Sequence, residues 1–134
     1  MPTFDLCKAI PEDVLAKEGL DVSLKLPWHE NELGMDRNGC VVGKGRGAGE
    51  LVWGFFVTDR NVEYLKAVSG DLPFRETTID GRVAGVLGPE KDGQCTLVTN
   101  LSGGGGVLID GQFVQDPCKQ VTDLANTLIP FLPR

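Results

Sequence analysis

A chain of 134 residues and 14.4 kDa has the size of one domain, and 41% hydrophobic with 24% charged residues is enough apolar content for a real core. Nineteen acids against thirteen bases leave a net charge of −6, an acidic surface that repels phosphate backbones and speaks against nucleic acid as a partner. No apolar run approaches the roughly 20 residues that cross a bilayer.

From the amino terminus, Asp5-Leu6-Cys7-Lys8 reads as an acidic N-cap followed by a helical start with cysteine at its second position. Pro11-Glu12-Asp13 opens a short helix with acids in the first turn, which suits the macrodipole. Gly19 can close it in the left-handed conformation, with Leu20 as the apolar residue beyond. Leu26 to Gly39 reads as an irregular loop punctuated by Pro27, Gly34 and Asn38-Gly39. Cys40-Val41-Val42 begins a strand that runs into the glycine-rich stretch Gly43–Gly49. Leu51–Thr58 is apolar at all positions but Gly54 and Thr58, so it predicts a central strand covered on both faces. Asp59 is placed to cap a helix from Arg60 to about Ser69, with Val62, Leu65 and Val68 inward and Gly70 as its stop.

The clearest hairpin signal is Thr77–Ala84 around Asp80-Gly81, a pair that supplies the positive φ angles of a type I′ turn. Cys95–Leu101 and Val107–Asp110 predict a second antiparallel pair across the turn Ser102–Gly106. The chain ends on an amphipathic helix. Asp116 stands as N-cap and Pro117 at the first helical position, where its missing N–H costs nothing. Cys118, Val121, Ala125, Leu128 and Leu132 then recur at spacings of three, four, three and four, widened by Leu124 and Ile129. Pro130 and Pro133 should end it.

Cys7, Cys40, Cys95 and Cys118 are even in number and isolated, without the closely paired ligands of a zinc site. They read as two disulfides in an exported protein. If Leu101 faces Gly106, about residue 112 lies opposite Cys95, and Cys118 follows six residues later. That register favours Cys95–Cys118 and leaves Cys7–Cys40. The class is α+β: a single globular domain over 1–134, with an antiparallel sheet of five or six strands. An amino-terminal helical segment, one crossover helix and a carboxy-terminal helix pack on that sheet. No signal peptide is visible, and Met1-Pro2-Thr3 reads as an added start on a mature domain.

Both ends carry a resemblance. The Asp-x-Cys start with Ile10–Leu15 and Gly19-Leu20, and the close Asp116-Pro117-Cys118 with Leu124-Ala125-Asn126 and Phe131-Leu132-Pro133, are similar to a family of actinobacterial cell-envelope lipoproteins. That family, found in mycobacteria, nocardiae and relatives, is classed as a domain of unknown function. Members often have Trp two residues after the second cysteine, where this chain has Val42. The resemblance implies an extracytoplasmic, lipid-anchored protein with a spacer before the domain. It brings no activity and no catalytic residues.

No cofactor, metal or catalytic constellation is legible. His29-Glu30-Asn31-Glu32-Leu33 lacks the second histidine of a zinc-protease helix, since Leu33 stands there. Gly43–Gly49 has the composition of a phosphate loop, but a strand follows where a helix would be needed. Its Lys44 and Arg46 form a local basic spot, a candidate contact for an anionic envelope component. Ser23, Ser69 and Ser102 have His29 as the only available base, and none sits in a nucleophile elbow. The expected role is therefore non-enzymatic binding of a protein or envelope ligand, on Trp28, His29, Glu30 and Glu32 in the Leu26–Gly39 stretch. Trp28 can equally be a plug under the sheet. A secreted protease inhibitor is the alternative, and a small hydrolase or metal enzyme built on His29 the third reading.

Overall fold

The computed structural model describes residues 2–44, 51–112 and 115–134, with the side chains of these except Leu24, Lys44, Leu51 and Val52. Seven strands form one antiparallel sheet: β1 (Leu20–Glu32), β2 (Met35–Lys44), β3 (Leu51–Thr58), β4 (Phe74–Ile79), β5 (Arg82–Leu87), β6 (Cys95–Asn100) and β7 (Gly106–Gly111). Their spatial order is β1-β2-β3-β7-β6-β5-β4, so β3 and β7 lie in the interior and β1 and β4 at the edges. The helices are α1 (Leu6–Ala9), α2 (Glu12–Lys17), α3 (Val62–Ala67) and α4 (Pro117–Leu128), the last continued by a 3₁₀ turn over Ile129–Phe131.

The sheet exceeds the expected five or six strands because Leu26–Gly39 is not a loop. It is most of a hairpin, with Glu32 opposite Met35 and a two-residue turn at Leu33 (φ 57°) and Gly34 (φ 73°). A leucine at positive φ carries no turn signal, and the Tyr64 hydroxyl steadies it by donating to the Leu33 carbonyl at 2.7 Å. Asn38-Gly39, a turn signal by composition, lies inside β2. Gly39 is needed there because a Cβ would overlap the Phe55 carbonyl oxygen. Pro27 is tolerated because β1 is an edge strand.

The two faces are covered unequally. Leu6, Leu15, Phe55, Ile109, Val121 and Leu128 belong to one large core, which places α1, α2 and α4 on the same side of the sheet. Met35, Phe56, Val62, Leu65, Val98 and Leu108 form a smaller core, which places α3 on the other. Strand alternation explains the split: Phe55 and Val57 face the first layer, and Phe56 between them faces the second.

Both disulfides form as the register argument expects, Cys7–Cys40 and Cys95–Cys118, with Cα–Cα separations of 6.2 and 5.1 Å. The register itself is one residue tighter, since Cys95 faces Gly111 rather than residue 112. Asp5 caps α1 by accepting from the Cys7 and Lys8 amides at 3.1 and 3.2 Å. Asp80-Gly81 turns β4 into β5 with both φ angles positive, as expected. Two caps differ. Asn61, not Asp59, caps α3, accepting from the Tyr64 amide at 3.0 Å, while Asp59 accepts from the Asp36 amide at 2.9 Å. Asp116 precedes α4 at φ 51° without a side-chain cap bond. At the other end, the buried Arg82 donates to the carbonyls of Ile129, Leu132 and Pro133 and so ties the carboxy-terminal segment to β5.

Each disulfide closes a loop, of 33 and 23 residues, worth about 3–4 kcal/mol by chain entropy. Paired Cys→Ser replacement at either bond should lower the denaturant-melt stability by that order, and a loss under about 1 kcal/mol would contradict it. Along α4, Leu128 is fully buried and Leu128→Ala should cost about 2–5 kcal/mol. Lys119→Ala, which removes only an exposed ion pair with Asp123, should cost under about 1 kcal/mol. Equal losses at the two positions would show that α4 is not docked by this face.

Candidate functional site

Because α3 is only six residues long, it covers the half of its face near Phe56, Val98 and Leu108. The other half carries Leu26, Trp28, Glu30 and Glu32 from β1, residues of one parity and therefore on one side of the strand. Register extends the same face across the sheet. Trp28 opposes Gly39, Glu30 opposes Arg37, Val41 opposes Gly54, and Gly54 opposes Asp110. Trp28, Glu30, Glu32, Gly54, Asp110 and Gln112 line a cavity of about 240 Å³ there.

Four side chains make an ionic cluster in this cavity. Arg37 is 1% exposed, and its Nη1 lies 3.3 Å from Asp110 Oδ2, 3.6 Å from Glu32 Oε2 and 3.9 Å from Glu30 Oε1. Gln94 Nε2 also donates to Asp110 Oδ2 at 3.4 Å, and Gln112 Nε2 donates to Gln94 Oε1 at 2.8 Å. Arg37 Nε is buried without a partner. Gly54 is what lets the carboxylate lie across β3, since a Cβ would overlap both Asp110 Oδ1 and the Phe56 ring.

Burial pushes the Asp110 carboxyl up to about 6; Arg37 pulls it back, Glu30 and Glu32 push it further up, and the Gly54 amide lowers it. Burial also raises Glu90, with Asp92 and Glu32 adding to the effect and Arg37 opposing it. Trp28 is 43% exposed, whereas Trp53 is 5% exposed in the core of the opposite face. Trp28 therefore lines the cavity rim and does not plug the sheet.

The residues expected to act together separate by strand alternation. Trp28, Glu30 and Glu32 share the cavity, but His29 projects from the opposite face, where its Nε2 lies 2.9 Å from Asp36 Oδ1. Ser23 bonds Asp21, Ser69 the Lys66 carbonyl and Ser102 the Arg134 carbonyl, so none of the three serines is held by His29. Among the described residues, no group of three or more His, Cys, Asp or Glu side chains has the spacing of a metal site. Of the basic spot at Lys44 and Arg46, only the Lys44 backbone, at the end of β2, falls within the described residues. Arg37, Asp110, Gln94 and Gln112 escape a reading of the sequence, although one signal was present: Asp110 closes the apolar run Val107-Leu108-Ile109.

No family model, curated protein or solved structure matches the chain. The two disulfides are consistent with an extracytoplasmic setting, and among the described residues no helix is long and apolar enough to cross a membrane.

A raised carboxyl pKa makes the folded state hold a proton that the unfolded chain releases near pH 4. Asp110 therefore contributes stability below about pH 4 that is lost as the pH rises to 6 and above, about 3 kcal/mol in all. Urea melts of the wild type and Asp110→Asn at pH 4 to 6.5 should show the wild type losing about 2 kcal/mol relative to the variant. A pH-independent difference would contradict the assignment.

Proposed function

We propose that this is a non-enzymatic binding domain of the extracytoplasmic cell envelope, carried on a lipid-anchored tether as the resemblance of its two ends implies. It docks a protein partner on the half of the sheet face that no described helix covers. The observation that carries this reading is Trp28, an indole 43% exposed on the rim of a cavity that none of the described helices covers. An exposed Trp is costly to solvation, and Trp is over-represented among the residues that dominate binding energy. The support beneath it is rigid: Trp28 sits on a paired strand rather than a loop, next to a β2 that Cys40 ties to α1. Leu26 (50% exposed) extends the apolar rim along the same face.

Trp28→Ala should abolish capture of the partner from an envelope extract and, because a little over half of Trp28 is buried, lower stability by about 1–3 kcal/mol without unfolding the domain. A variant that captures normally but melts many degrees lower would make Trp28 structural and send the binding surface elsewhere.

A further inference from the structure

Among the described residues, the half-face that no helix covers has a net negative charge, and this selects what can occupy it. Glu30, Glu32 and Asp110 converge on one guanidinium, leaving two negative charges in excess when all are ionised. Arg37 is buried beneath them, whereas the Glu30 and Glu32 side chains keep 35% and 45% exposure. An incoming group therefore meets carboxylate oxygens and not the arginine. Beside them, on the same side of β1, stands Trp28, 43% exposed, and an aromatic ring attracts a cation over its face. Leu26 continues that surface with apolar area, against which a long aliphatic stem can lie.

Size narrows the occupant further. About 240 Å³ falls below the roughly 300–1,000 Å³ of small-molecule sites and suits a single side chain anchored from outside. The apolar rim at Leu26 and Trp28 lies where the rest of a partner's surface would press. Resting on the reading of this half-face as a docking surface, we propose that the cavity receives one lysine or arginine side chain of a protein partner. Its cationic head sits among Glu30, Glu32 and Asp110, and its stem lies against Trp28.

Hexalysine and hexaarginine serve as probes, titrated against the disulfide-intact protein at low salt and followed by tryptophan fluorescence and by calorimetry. Glu30→Gln/Glu32→Gln should weaken binding about tenfold or more, the equivalent of 1.4 kcal/mol. Trp28→Ala, followed by calorimetry alone, should weaken it several-fold. Glu18→Gln/Glu63→Gln removes the same charge from two exposed positions outside the cavity and should change affinity less than about twofold. Equal weakening by the two glutamine pairs would reduce the effect to net charge and overturn the proposal, as would no binding at millimolar peptide. If the peptides fail while Trp28→Ala still abolishes capture from envelope extract, the cation pocket falls and the docking surface stands. If capture survives Trp28→Ala as well, both fall.

Discussion

The governing constraint is that a seven-stranded sheet has two faces to cover, and the described helices leave part of one bare. Six inter-strand spacings make the sheet about 29 Å wide. The six residues of α3 make a helix about 9 Å long. The opposite face has α1, α2 and α4, and it carries the larger core. What α3 cannot reach must be made acceptable to water or be covered by something else. This chain places carboxylates there, with Trp28 beside them 43% exposed.

The carboxylates exceed what neutrality requires. A guanidinium buried to 1% exposure has to be paired, because an uncompensated buried charge costs several kcal/mol. Asp110, at 3.3 Å, meets that need by itself. Glu30 and Glu32 add like charge next to an aspartate whose affinity for its proton burial has already raised. A cluster tuned for stability alone would not carry that surplus. The proposed docking role would account for charge kept beyond what pairing Arg37 requires.

The disulfides work against the same asymmetry. Cys40 and Cys95 belong to the larger core, and both bonds fasten helices to that side, α1 to β2 and α4 to β6. They hold the scaffold from behind, on the side away from the charged cluster. In the proposed docking role, that stiffness lowers the ordering cost of binding.

Much of this was legible in the residues. The terminal helix, the Asp80-Gly81 hairpin, the central strand Leu51–Thr58 and the cystine pairing follow from periodicity, turn chemistry and register, all of which act over a few residues or along one ladder. Leu20–Glu32 was not legible as a strand, since Pro27, Glu30, Asn31 and Glu32 have low strand propensity and only pairing with β2 holds them extended. The cap of α3 was missed for a related reason: Asp59, the better-placed acid by sequence, is drawn off by the Asp36 amide across the sheet. The site divides along the same line. Composition pointed to Trp28, Glu30 and Glu32, but not to the exclusion of His29, which follows only once strand alternation applies. Arg37 and Asp110 stand 73 residues apart, and no local pattern links them. They meet because β2, β3 and β7 lie side by side, an adjacency set by which faces bury the most apolar surface in the whole chain.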